Sequence, residues 1–198
     1  MNYLAHFALS FPNEGLLVGN FIGDHIRNKD LPTFNKDIQV GVKMHRKIDY
    51  FTDTHHITKE LRKLLFVRHR HLSRVLIDII YDHFLAIHFS SFYQLSLKDF
   101  ITQVQALLQL NHGALPPSAQ LYLKGMIAHD WLAKYQTVEG ITYILAKMAK
   151  RSGIDEIEEG TSSLIEHYGK LQKGFLQFYP DVMHACTIFK NSIPHLDT

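Results

Sequence analysis

Fourteen histidines fall within 198 residues, and several lie beside carboxylates at spacings that a helix would bring together. His45 precedes Asp49 by one helical turn, Asp82 and His83 are adjacent, and Asp24 directly follows Gly23. A mixed imidazole and carboxylate set can hold a divalent cation for hydrolysis, because such ligands fix the ion and leave a position for water.

Each element of that set has a competing structural reading. Asp24 closes the apolar stretch Leu16-Leu17-Val18-Gly19-Asn20-Phe21-Ile22-Gly23, where an inward carboxylate must be paired, hydrogen-bonded or bound to metal. The alternative is an exposed helix end paired with Arg27 or His25. His45 and Asp49 share a helix face and could bind one metal, or Asp49 could orient the ring from outside the ligand set. A histidine simply bonded within the core competes with both. Asp78 and Asp82, four apart in an otherwise apolar helix, would repel if buried and unpaired, so a cation or a protonated partner is the economical explanation. The alternative is a narrow polar edge facing water. His55-His56 and His69-Arg70-His71 read as surface residues, and His129-Asp130 is a reserve ligand pair.

Helical periodicity dominates the elements that must position these groups, and alternating β-branched runs are nearly absent. The pattern predicts an all-α fold with helices over about 14–27, 36–51, 54–66, 72–89, 97–110, 117–134, 138–150, 161–178 and 180–190. Asn13 and Ser96 are expected helix caps. Gly15, Gly19 and Gly23 form a stripe on the first of these helices, at a cost of about 1 kcal/mol each against alanine, which suggests close approach by another element. The segment 111–117 is the clearest loop, and 151–160 is acidic and expected to be exposed. With no repeat and no long linker, the expectation is one compact bundle of about seven to nine helices spanning 1–198.

Composition bounds the function. A formal charge of +2 with 20% charged residues excludes a polyanion-coating protein and a disordered acidic segment. The single cysteine, Cys186, fits a reducing, cytoplasmic compartment, and no apolar run approaches the roughly 20 residues that cross a bilayer. Local charge is uneven: Lys59, Arg62, Lys63, Arg68, Arg70 and Arg74 lie in a run where Glu60 is the only acid. Such a run offers a docking surface for an acidic partner. A solvated face is the alternative, but this run leads directly into the helix carrying Asp82 and His83. Nucleic-acid binding is disfavoured, because no exposed aromatics interleave with these cations.

Four ordered stretches resemble the acyl carrier protein phosphodiesterases: Met1-Asn2-Tyr3-Leu4-Ala5-His6, Gly19-Asn20-Phe21-Ile22-Gly23-Asp24, Gly41 to Asp49, and Asp78-Ile79-Ile80-Tyr81-Asp82-His83-Phe84-Leu85. Weaker similarity continues through Trp131-Leu132-Ala133-Lys134-Tyr135 and Phe175 to Pro180. The resemblance implies an all-helical hydrolase, distantly similar to the metal-dependent HD phosphohydrolases with altered motif order. Such an enzyme removes 4′-phosphopantetheine from holo acyl carrier protein, with manganese as the metal. Carried over by motif, Asp24, His45, Asp82 and His83 form the expected metal set, with His6 as general acid and Asp49 orienting a histidine. The adjacent pair reads Asp-His rather than His-Asp, which leaves open which member would ligate. Arg27, Lys43 and Arg46 are expected to neutralise phosphate, and the run from Lys59 to Arg74 to receive the acidic carrier protein. Two other functions stay in view, an HD-type nucleotide or alarmone phosphohydrolase and a non-catalytic helical module that binds carrier protein.

Overall fold

In a computed structural model that describes residues 1–193, the chain is built from helices and short 3-10 turns, with no strand among the described residues. The helices are α1 Tyr3–Ser10, α2 Glu14–Ile22, α3 Lys36–Thr54, α4 His56–His69, α5 Ser73–Ile87, α6 Phe89–Phe92, α7 Leu97–Leu110, α8 Pro117–Ala128, α9 Trp131–Lys134, α10 Val138–Ser152, α11 Gly160–Glu166 and α12 Tyr168–Asn191. The all-α expectation holds. The number exceeds seven to nine because α6, α9 and α11 are only one or two turns long. The last five positions of the expected single domain, 194–198, lie outside the described residues.

Local chemistry sets the helix starts. Asn13, Asn35, Ser96 and Thr137 each accept a bond from a first-turn backbone N–H of the helix that follows, which satisfies a donor with no partner inside the helix. The start of α1 is capped both by Asn2, whose side chain accepts from the Tyr3 N–H at 2.8 Å, and from a distance. The Asp82 carboxylate, on α5, accepts from the backbone N–H groups of Asn2, Leu4 and Ala5 at 3.2, 2.8 and 3.4 Å. Helix α1 has no solvent-exposed face, with every residue from Leu4 to Ser10 buried, so its amphipathic signal is weak and its existence is decided by burial.

Several expected helices end differently. The helix expected over 117–134 stops at Ala128, because Asp130 adopts a left-handed backbone conformation and redirects the chain into α9. Pro180, expected to separate two helices, lies inside α12 on an exposed face, where water can replace the hydrogen bond it cannot donate. The glycine stripe behaves as expected. A side-chain carbon at Gly19 would overlap the Ile38 carbonyl oxygen, and one at Gly41 would lie 2.8 Å from the Gly19 Cα, so α2 and α3 meet backbone to backbone. Helix α2 ends at Ile22, short of the expected Arg27, and leaves Gly23 to His25 in a turn.

The core lies around α5, where Leu76, Ile77 and every residue from Ile79 to Ala86 are buried. Aromatic rings of α12 close over it: Tyr81 stacks on Phe178 with centroids 4.9 Å apart, and Phe84 lies 6.0 Å from Phe175. The seam between α2 and α3 sits on this core beside α1. Three separate segments are thereby held in one place where polar groups gather.

Candidate metal centre

Two buried imidazoles form the centre of the site. His6 comes from α1 and His45 from α3; their rings stack with centroids 4.2 Å apart and planes 21° from parallel. Both are tethered by the same residue of α2. His6 Nδ1 lies 2.8 Å from Asn20 Oδ1, and His45 Nδ1 lies 2.9 Å from the Asn20 carbonyl oxygen. Asn20 Nδ2 donates to Ser10 Oγ, which fixes the amide orientation and makes Oδ1 the acceptor. Each Nδ1 must therefore carry the hydrogen.

That assignment turns both Nε2 lone pairs toward carboxylates. His6 Nε2 lies 3.1 Å from Asp49 Oδ1; His45 Nε2 lies 3.2 Å from Asp49 Oδ2 and 3.2 Å from Asp24 Oδ1. Neutral nitrogens facing carboxylate oxygens are acceptors facing acceptors, an arrangement that requires a cation between them, either a proton or a metal. Donor atoms of His6, His45 and Asp49 all lie within 4.8 Å of one another. The donor set of imidazole nitrogen and carboxylate oxygen fits a divalent first-row metal.

Electrostatics agrees with a single positive charge at this point. Burial opposes the charged form of His45, but the bonds to Asp24 and Asp49 outweigh it and raise its pKa to about 9. His45 holds the Asp24 carboxyl low; Asp49 is also held low, since its bonds to His45 and His6 overcome its own burial. For His6 the shift is downward, from burial first and the adjacent His45 charge second. With Nδ1 turned to Asn20, the His6 nitrogen that faces the cluster is Nε2, 3.1 Å from Asp49 Oδ1. Asp49 does not set a tautomer through Nδ1, as Asn20 does that; it sits on the Nε2 side of both rings.

The other two members of the expected metal set lie elsewhere. Asp82 is fully buried with its oxygens committed to the start of α1, and burial pushes its pKa up to about 7 against the opposing backbone bonds and chain amine. His83 points from α5 toward the Tyr135 carbonyl, 2.7 Å from Nδ1, and the Tyr168 hydroxyl, 3.3 Å from Nε2. Neither lines the cavity at the histidine pair. The repulsion inferred for Asp78 and Asp82 is relieved by donors, because Asp78 pairs with the Met1 ammonium at 2.7 Å. His129 and Asp130 are exposed, with His129 Nδ1 3.3 Å from the Tyr143 hydroxyl.

A cavity of about 500 Å³ opens over the cluster. Its cations are Arg74, Arg151 and the Met1 ammonium, whereas Arg27, Lys43 and Arg46 do not line it. Arg27 instead pairs with Asp30 at 3.2 Å, and Lys43 and Arg46 are exposed on α3. Within the basic run, Arg62 bonds Asp53, Lys63 bonds Glu60 and Arg68 lies 3.9 Å from Glu166. Arg70 stacks over Phe66, and Lys59 is exposed. Of the run, only Arg74 reaches the cavity. Tyr3, Tyr122 and Trp131 form an aromatic wall, with ring centroids 4.7 Å apart for Tyr3 and Tyr122 and 6.3 Å for Tyr122 and Trp131. Sequence reasoning did not assign a role to Asn20, Arg151 or Tyr122. Asn20 sat inside a quoted motif, but nothing local to Arg151 or Tyr122 announced them.

Comparison with known proteins follows the same outline. Residues 1–182 match the family model described as acyl carrier protein phosphodiesterase. A curated protein of that name from Serratia proteamaculans (strain 568) is 34% identical over 186 residues, covering 92% of this chain and 96% of the relative. Proteins of the same name from Escherichia coli O157:H7 and Yersinia pestis are each 31% identical, with the same coverage. No solved structure matches the chain significantly. Similarity of this extent reaches across both the histidine pair and the helices that carry it, and the chain is a hydrolase that belongs to the acyl carrier protein phosphodiesterase family.

Proposed function

We propose that the protein hydrolyses the phosphodiester joining 4′-phosphopantetheine to a serine of acyl carrier protein, releasing the apo protein and free 4′-phosphopantetheine. The substrate follows from what its relatives are named for. The observation that carries the chemistry is the convergence of two Nε2 lone pairs and two carboxylates at the floor of a solvent-open cavity. His6, His45, Asp49 and Asp24 would hold a divalent cation, with manganese the first to test. When bound, such an ion polarises a phosphoryl oxygen and acidifies water.

The chain's own residues do the rest. Asn20 keeps both rings in the Nδ1–H tautomer, so neither can rotate its donor nitrogen away. Asp24, the more exposed carboxylate, can accept a hydrogen bond from the attacking water and aim it at phosphorus. As the new P–O bond forms, the bond to the serine oxygen breaks, and the proton that the attacking water gives up passes by way of Asp24 and solvent in the open cavity to that departing oxygen. Arg74 and Arg151 are placed to offset phosphate charge. The exposed cations of α4 would receive an acidic carrier protein and steer its approach. This assigns one phosphodiesterase domain to 1–198, working in the cytoplasm.

Mass measurement of holo carrier protein after incubation with enzyme and Mn²⁺ tests the reading. Loss of the prosthetic group is expected. The aromatic wall could also stack a nucleobase, so a nucleotide panel belongs in the same assay; turnover of nucleotides alone would defeat the carrier-protein assignment.

A further inference from the structure

Beside the main cavity lies a second space of about 260 Å³, between α8 and α9. The two share Tyr122, Trp131 and Arg151, so the second space continues the first past that arginine. Its own walls are Leu121 and Met126, mainly apolar, with Ser118 and His129 as polar points. Arg151 stacks over the Tyr122 ring, its Cζ 5.7 Å from the centroid, which holds the guanidinium at the junction. One wall is Gly125, where an added side-chain carbon would meet nothing within 4 Å. The space there is open, not filled by a neighbour.

A ligand that crosses this junction must be anionic where it passes Arg151 and extended and largely apolar beyond it. It needs a few amide or hydroxyl groups for Ser118 and His129. Phosphopantetheine has that order of groups: a phosphate, a branched dimethyl carbon, two amides and a thiol. We propose that the side cavity is the seat of the pantetheine arm, with Arg151 contacting the phosphate and Gly125 kept side-chain-free to admit the chain. The proposal rests on the phosphodiesterase reading above and adds to it a subsite that selects the arm. It also orients the substrate, since the carrier protein must then lie on the α4 and Arg74 side.

The test measures binding to the manganese-loaded protein by calorimetry, with 4′-phosphopantetheine and inorganic phosphate as separate ligands. Wild type is expected to bind 4′-phosphopantetheine at least about tenfold more tightly than phosphate, because the arm adds apolar contact. Gly125→Leu should remove that advantage while phosphate binding stays within about twofold. Leucine also favours the helix, so the variant should fold, and Ser118→Trp fills the same space from another wall as an independent check. Arg151→Ala should weaken both ligands, with partial recovery in Arg151→Lys. Equal affinity of wild type for the two ligands, or unchanged 4′-phosphopantetheine binding in both filled variants, would overturn the subsite. Tighter binding of AMP than of 4′-phosphopantetheine would overturn it as well. The carrier-protein assay is separate: release of the arm by wild type together with wild-type-like binding in the filled variants sinks the subsite and leaves the phosphodiesterase standing.

Discussion

His6 and His45 stack ring on ring at 4.2 Å, and both are held through Nδ1 by Asn20, one by its side chain and the other by its backbone carbonyl. One residue therefore sets two tautomers. Removing its amide should disturb one ring and spare the other. Asn20→Ala leaves the His6 Nδ1–H buried without an acceptor, a loss of about 1 to 3 kcal/mol in stability. Metal affinity should fall about 10- to 100-fold, as expected for loss of a group that orients a ligand. Thermal denaturation and Mn²⁺ titration check both effects; unchanged affinity would mean that His6 takes no part in the site.

Aspartates of the two classes should fail in different ways. Asp49→Ala removes a carboxylate shared by both rings and should abolish metal binding and turnover while the fold persists. Asp82→Ala removes the acceptor of the buried N–H groups of Leu4 and Ala5 and of the half-buried N–H of Asn2, which should cost on the order of 2 to 4 kcal/mol with the histidine cluster untouched. Calorimetric metal titration of each variant distinguishes them. An Asp82 variant that folds normally but takes up no metal would restore Asp82 to the ligand set.

Gly23→Ala is a sharper probe than its size suggests. Gly23 has an ordinary right-handed backbone, so alanine is conformationally acceptable, but its methyl would lie 2.5 Å from His45 Cγ. The ring must move. Activity should drop at least about 100-fold with under about 2 kcal/mol lost in stability, because misplacement rather than unfolding is the defect. Equal falls in activity and folded fraction would contradict this.

The pH response of the metal-free protein follows from His45. Its pKa rises from 6.5 to about 9 on folding, so its contribution to stability is fully present below about 6.5 and lost as pH climbs through about 9. Asp24 and Asp49 are shifted down, so their contribution holds above the ordinary carboxylate range and disappears as pH falls through their lowered values. Asp82 runs the other way from those two: its pKa rises from 3.8 to about 7, which favours folding at low pH and withdraws that support across this interval. Denaturation midpoints in chelator should decline on the alkaline side, and Mn²⁺ should restore them, since the ion replaces the proton on His45. If His45→Gln keeps the alkaline decline, the assignment to this ring is wrong.

Much of the architecture was readable because its causes are local. Asn13 and Ser96 announced the helices they cap, and the spacing of Gly15, Gly19 and Gly23 announced a close neighbour that proved to be α3. His45 and Asp49 were readable as a pair because one helix presents both. What escaped depends on contacts between distant segments. His6 and Asn20 meet only because α1 lies across α2. Asp82 looked like a ligand because a buried carboxylate needs compensation, and its spacing cannot distinguish a metal from three backbone N–H groups arriving some eighty residues away in sequence. The break at Asp130 rests on one left-handed residue inside a stretch of good helix formers.

The contact of α2 with α3 through Gly19 and Gly41 sets a hard stop. Nothing softer than main chain separates α2 from the helix that presents His45, so the spacing between the Asn20 carbonyl and the His45 ring is inherited from two polypeptide backbones already touching. A side chain placed at Gly19 or Gly41 would therefore push α2 from α3 and carry His45 away from Asn20 before it met any residue of the cluster.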